Sequence, residues 1–219
     1  MTRSERGNNM RMRKIYPVVL PIVVLFCAFM TASCQKKDQP SGSRSEQAAN
    51  PYSTDTIFDE VYKKAQQDPA DAEAMYHLAD LYDRNAQYPE AIETYKKVIK
   101  LKPDMGYAYF KMGTAYDRLN QPAEALKAFR TATKYLPKHA VLYNNMGIAY
   151  GKLGKLNDEI NALKTAVKLR PSYSAAHYNL GVAYIKAKNI AAARKEYEAL
   201  KGFDEGAAES LRKEIEKAS

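Results

Sequence analysis

Residues 103–136 read PDMGYAYFKMGTAYDRLNQPAEALKAFRTATKYL. Tyr109, Met112, Ala115, Tyr116 and Leu119 fall at helical spacing, and the pattern stops at Asn120-Gln121-Pro122. Ala125, Leu126, Phe129, Ala132 and Thr133 then make a second amphipathic stripe. The stretch predicts two short helices joined by a tight turn. Its opening Pro103 recurs as Pro69, Pro137 and Pro171, always 34 residues apart. A fixed period of this size means that one supersecondary unit is written several times, so the chain folds as a stack rather than a single globule.

The period extends well beyond proline. Tyr82, Tyr116, Tyr150 and Tyr184 form one row; Leu78, Met112, Met146 and Leu180 precede it, followed at once by Ala79, Gly113, Gly147 and Gly181. Later rows are Ala91, Ala125, Glu159, Ala193; then Tyr95, Phe129, Leu163, Tyr197; then Val98, Ala132, Ala166, Leu200. The small rows let two helix backbones approach, and the large rows fill the space beside them. Each predicted helix has only about 12 to 14 residues, a length that is marginal alone in water. Each pair therefore needs a neighbour to bury its second face. The prolines stop the second helix of each copy.

These rows resemble the tetratricopeptide repeat, a 34-residue helix-turn-helix whose first large slot is held here by Met75, Tyr109, Tyr143 and His177. The resemblance covers roughly residues 69 to 203. Two departures are Glu159 at a small-residue slot and Glu205 where a further proline is expected. The expected fold is all-α: an α-solenoid of four repeats over 72–105, 106–139, 140–173 and 174–205. A leading helix over 55–68 carries Ile57, Phe58, Val61 and Tyr62 on one stripe, and a charged helix over 206–219 caps the other end with Leu211 and Ile215. About ten helices, no sheet and a right-handed superhelix are what the family implies.

The N-terminus carries Arg3, Arg6, Arg11, Arg13 and Lys14, an apolar run from Ile15 to Met30, then Thr31-Ala32-Ser33-Cys34. That is the order of a secretory signal over 1–33. Cys34 after small residues resembles the lipobox of bacterial lipoproteins, with Thr31 where leucine is usual, and the resemblance implies lipidation of Cys34. An uncleaved inner-membrane signal anchor is the alternative, weakened by Pro17 and Pro21. An ordinary thiol at Cys34 is a third reading. With either a signal or an anchor, the basic flank keeps the N-terminus cytoplasmic and sends the repeats to the periplasmic side. Gln35 after the cysteine favours the outer membrane by the rule of enteric bacteria. Residues 35–54 are polar and poor in apolar side chains, which suits a flexible tether.

The chain carries +9, but residues 1–34 hold five basic residues against one acidic, leaving 29 against 24 beyond them. That modest balance does not call for nucleic acid. Both cysteines, Cys27 and Cys34, lie in the N-terminal segment, so the repeats depend on packing without disulfides. No cofactor and no metal are expected: His77, His139 and His177 have no partners at ligand spacing, and His177 fills a packing slot. Gly151-Lys152-Leu153-Gly154-Lys155 lacks the Ser or Thr that a phosphate loop requires, since Leu156 follows. No Gly-x-Ser-x-Gly occurs. Catalysis is not expected.

Within the resemblance, partner proteins or peptides lie along the concave groove of the first helices. The corresponding row is Tyr76, Phe110, Asn144 and Tyr178, with Asp80, Thr114, Ile148 and Val182 one turn on; Tyr107 belongs to a further row with Glu73, Val141 and Ala175. Aromatic side chains there suit an extended or helical peptide, and some of the rings equally suit the seam between copies. The family's clamp for a C-terminal carboxylate is absent: Phe110 and Thr114 replace its first Lys and Asn, and although Asn145 matches, Ala175 and Asn179 replace Lys and Arg. Arg84, Arg118, Lys152 and Lys186 put a cation at the end of every first helix, where the helix dipole favours it. Lys96, Lys97, Lys100, Lys127, Arg130, Lys134, Lys164 and Lys168 form a basic outer ridge, read as a solvated face with lipid head groups as a lesser option. The leading expectation is a non-catalytic, membrane-anchored adaptor in an envelope assembly or biogenesis complex. The alternative is a small-ligand-binding or enzymatic component of cell-wall metabolism.

Overall fold

The computed structural model describes residues 54–218, and within them the chain forms ten helices and no strand. These are α1 (Thr54–Gln67), α2 (Ala72–Arg84), α3 (Tyr88–Leu101), α4 (Gly106–Arg118), α5 (Pro122–Tyr135), α6 (Ala140–Lys152), α7 (Leu156–Leu169), α8 (Ser174–Lys186), α9 (Ile190–Lys201) and α10 (Glu205–Lys217). The predicted signal, Cys34 and tether fall outside the described residues.

Each turn between a first and second helix closes in one way. Ala86, Asn120, Gly154 and Lys188 all take positive φ, from 56° to 70°, and stand 34 residues apart. The next residue's N–H returns to the carbonyl of Tyr82, Tyr116, Tyr150 or Tyr184. This is the Schellman closure, and it satisfies carbonyls that a helix end would otherwise leave bare. Only Gly154 takes that conformation without a steric cost; the other three copies hold it with a Cβ. Pro89 and Pro122 then start α3 and α5, where a missing N–H costs nothing.

Packing follows the rows. The helices pair as α2/α3, α4/α5, α6/α7 and α8/α9, and each second helix also packs on the first helix of the following copy. Successive first helices, α2, α4, α6 and α8, touch one another, whereas successive second helices do not. The first helices therefore line the inner side of the stack. A Cβ added at Gly113 would stand 2.6 Å from the Phe129 ring, and one at Gly147 would stand 2.6 Å from Leu163. Phe129, Leu163 and Tyr95 are wholly buried, and each such side chain contributes on the order of 2 kcal/mol.

The ends depart from the period. At Gly181 the close neighbour is Leu211 of α10, at 2.5 Å from a built Cβ, while Tyr197 at the equivalent slot is only half-buried. The cap thus takes over the Tyr197 slot of the last copy, while Ala193 and Leu200 of α9 stay fully buried beside it. Leu211, Ile215 and Ala208 are buried there, and Glu209, Arg212 and Glu216 make ion pairs on the outer side. At the other end Phe58 and Val61 pack inward, Phe58 meeting the Tyr82 ring edge-on at 5.4 Å. Ile57 and Tyr62, expected on the same stripe, are each 41% exposed; among the described residues α1 packs on α2 alone.

Candidate binding surface

The inner side is built by polar ties as much as by apolar contact. Lys111 of α4 reaches back to Asp80 of α2 at 2.6 Å, and Arg84 meets the same carboxylate at 2.7 Å. Burial raises the Asp80 carboxyl, but Lys111 and Arg84 outweigh it and hold it below the usual carboxylate range. Asp83 behaves oppositely: burial pushes it up, and the charges of Lys111 and Arg118 recover only part of that. Further along, Lys152 meets Asp117 of the preceding copy at 2.6 Å, and Lys186 meets Glu159 at 2.9 Å. In three of the four copies the cation at the end of the first helix is therefore more than a complement to the dipole. In the third and fourth copies it ties a repeat to its predecessor, and in the first it pairs within its own helix.

Glu159 exposes only 6% of its surface and lies beneath Gly151, whose missing Cβ would stand 2.8 Å from the carboxyl carbon. The first two copies carry Asp83 and Asp117 where Gly151 stands, and Ala91 and Ala125 where Glu159 stands. The third copy has moved its carboxylate from the first helix to the second while keeping a partner for the next cation.

The predicted groove residues separate into three groups. Ile148, Tyr178 and Val182 converge on a recess of 560 Å³ between α6 and α8, which Lys152, Glu159, Asn179, Lys186 and Glu214 also line. Tyr76 and Tyr107, the latter 50% exposed, border a second recess of 370 Å³ with Glu73, Lys102 and Tyr135. The remaining four are occupied by the fold. Asn144 is only 4% exposed and accepts a 2.9 Å hydrogen bond from Asn179. Phe110 packs in the seam, 4.9 Å from the His139 ring and 6.1 Å from Phe129. Thr114 donates to the Phe110 carbonyl, and Asp80 is held by its two cations.

Asn179, Lys152, Lys186 and Glu214 are lining residues that the periodic reading missed. Asn179 stood among the slots compared with the clamp, and Lys152 and Lys186 were visible as a cation row. Their contribution to the recess depends on the superhelical stacking of copies, which no single period contains. Glu214 enters only because α10 lies alongside α8. Among the described residues, no group of three or more His, Cys, Asp or Glu could hold a metal ion, and no helix is long and apolar enough to cross a membrane. His177 is buried, its Nδ1 2.7 Å from Glu196 Oε2 and its Nε2 2.8 Å from the Pro171 carbonyl oxygen, which ties α8 to α9.

Comparison with known proteins matches this geometry. Tetratricopeptide-repeat models match residues 144–208 and 106–139, and a TPR-repeat model matches 87–120. Curated protein sequences give no match. Among solved structures, residues 41 to the end of MamA from Desulfovibrio magneticus RS-1 are similar at 22% identity and a TM-score of 0.65, over 68% of this chain and 85% of that one. YrrB, a TPR protein with an unusual peptide-binding site, is similar at 22% identity and a TM-score of 0.64, over 73% and 84%. PilW, a widely conserved type IV pilus biogenesis factor, is similar at 22% and 0.66, over 75% and 78%. The sequence rows, the hairpins that they build and the family matches agree, and the chain is a member of the tetratricopeptide repeat family.

Proposed function

We propose that this protein is a non-catalytic adaptor that holds an extended or helical segment of a partner protein on its inner face. The observation that carries this is the 560 Å³ recess between α6 and α8, where Ile148, Tyr178 and Val182 supply apolar and aromatic surface beside the Asn179 side chain. Apolar pockets flanked by a few fixed polar groups suit peptide side chains and backbone. The similarity to YrrB, itself a TPR protein with a peptide-binding site, supports the reading. Ile148→Ala with Tyr178→Ala should lower recovery of co-purifying protein from membranes several-fold, and unchanged recovery would sink the assignment.

Membrane attachment through a lipidated Cys34, with the repeats on the periplasmic side and the outer membrane favoured, completes the proposal. Its support is the basic, then apolar, then small-residue order of the N-terminus. The similarity to PilW, a pilus biogenesis factor, accords with work in envelope assembly. Lipid labelling of the wild type against Cys34→Ser decides it: equal labelling would exclude lipidation. The small-ligand alternative has one observation in its favour, since Lys152, Glu159, Lys186 and Glu214 line the same recess. Two of its cations are already paired, Lys152 with Asp117 and Lys186 with Glu159, which favours the peptide reading.

A further inference from the structure

The outer side of the stack has its own recess, at the junction of α5 and α6. One part, of 530 Å³, is lined by Arg130, Thr131, Thr133, Lys134, Tyr143, Met146 and Tyr150. It continues through Arg130 and Tyr150 into a part of 170 Å³, to which Leu126, Lys127, Leu153 and Lys155 contribute. Four cations thus border one recess, and no carboxylate lines either part. Arg130, Lys134 and Lys155 form no ion pair among the described residues, while Lys127 is engaged by Glu124 at 2.8 Å. The floor is apolar and aromatic, with Leu153 38% exposed at one end.

The copies differ here in an informative way. At the equivalent junctions, Lys96 with Lys100 and Lys164 with Lys168 repeat the two cations of the second helix. Glu93 and Asn161 stand in place of Lys127, and Gln121 and Asn189 in place of Lys155. Only the middle junction assembles four cations. The surrounding charge is uneven in the same sense: residues 103–170 hold eleven basic against five acidic residues, and residues 54–102 hold seven against ten. Unpaired cations above an apolar floor are complementary to a chain that alternates carboxylates with apolar side chains. A bilayer surface would meet the exposed ridge of lysines but could not enter a notch between two helices.

We infer that the α5/α6 recess is a second docking surface, for an acidic protein segment carrying aliphatic or aromatic residues, separate from the groove on the inner face. Arg130, Lys134 and Lys155 would hold the carboxylates, and Tyr143, Met146, Tyr150 and Leu153 would receive the apolar side chains. The test uses the full chain in a neutral detergent and a fluorescein-labelled peptide of four Glu-Glu-Leu triplets, read by anisotropy. Saturable binding that weakens with added salt is expected, and Arg130→Ala with Lys134→Ala should weaken it roughly tenfold. Lys195→Ala with Lys213→Ala removes the same charge elsewhere and should leave binding within about twofold, with helicity by circular dichroism unchanged in both variants. Absence of saturable binding, or equal loss in the two double variants, would overturn the inference. So would a preference for phosphatidylglycerol over neutral vesicles that needs Arg130 and Lys134 when the peptide does not bind. Concentration-dependent dimerisation that Arg130→Ala with Lys134→Ala abolishes, again without peptide binding, would assign the recess to a second copy and equally overturn it.

Discussion

Replacing Gly151 with Asp should destabilise the array, and replacing Glu159 with Ala in the same chain should largely restore it. The third copy keeps one carboxylate near this seam, supplied by Glu159, where the first two copies supply it from Asp83 and Asp117. A Cβ at Gly151 would lie 2.8 Å from the Glu159 carboxyl carbon and from its Oε1, closer than side chains tolerate. The buried Glu159 would have to give way, at an overpacking cost of about 1–3 kcal/mol. A second carboxylate beside it adds roughly 1 kcal/mol of repulsion at a partly solvated site. Glu159→Ala alone takes the partner from Lys186, whose side chain is 51% exposed and rehydrates, so the loss is about 0–1 kcal/mol. With both changes the new carboxylate can face Lys186 as Asp117 faces Lys152, and the double variant should lie within about 1 kcal/mol of wild type. Urea unfolding of the four chains, followed by far-ultraviolet circular dichroism, gives the coupling directly. A value near 2–3 kcal/mol is expected, with Gly151→Asp alone melting about 5–12 °C below wild type. Additivity to within about 0.5 kcal/mol would refute the reasoning, because it would mean that the two positions do not share one space.

Three further outcomes follow from single sites. The Tyr95 hydroxyl is buried with no hydrogen-bond partner among the described residues, and burial pushes its pKa up; Tyr95→Phe, which copies Phe129, should raise stability by about 1–2 kcal/mol in the same urea assay. His139 accepts a 3.1 Å hydrogen bond from the Leu142 N–H through Nδ1, which requires that nitrogen unprotonated, and burial followed by the charge of Arg170 lowers its pKa from 6.5. The folded state therefore favours the neutral ring, and stability should fall as pH drops below about 6.5, a loss that His139→Asn should remove from a pH series of melting curves. Gly113→Ala gains about 1 kcal/mol of helix propensity but sets a Cβ 2.6 Å from Phe129; overpacking should exceed that gain and leave the variant about 1 kcal/mol less stable by thermal melting.

The fold was legible in the sequence because its determinants lie within one period. Gly113 with Phe129 and Gly147 with Leu163 are close neighbours inside single hairpins, and their spacing of 16 residues repeats along the chain. The same logic failed at Gly181, whose neighbour Leu211 comes from a helix outside the repeats. Tyr197 keeps its slot in the pattern yet is only half-buried, since α10 has taken its place in the core. Exposure of Ile57 and Tyr62 on α1 has the matching cause at the other end. Periodicity identifies what a residue would do with a neighbouring copy on both sides, and among the described residues α1 and α10 are packed on one side only.

The candidate sites were less legible for a different reason. Lys152–Asp117, Lys186–Glu159 and Asn179–Asn144 all join neighbouring copies, at sequence separations of 35, 27 and 35 residues. Whether a polar side chain on the inner face is free or occupied depends on that pairing. Asn144 and Tyr178 share one row, but the first is consumed by the seam and the second lines the recess. The Glu159 departure, minor as a deviation from a repeat pattern, becomes informative only beside Gly151. The outer recess shows the same principle in the other direction. Arg130 and Lys134 belong to a row that every junction shares, while Lys127 and Lys155 occur at one junction only. Some charges confined to one copy are also consumed by the seams, as Lys111 is by Asp80 and Glu159 by Lys186, whereas Lys155 forms no ion pair among the described residues. Selectivity should therefore be sought where an unshared residue stands beside an unpaired one, as Lys155 stands beside Arg130.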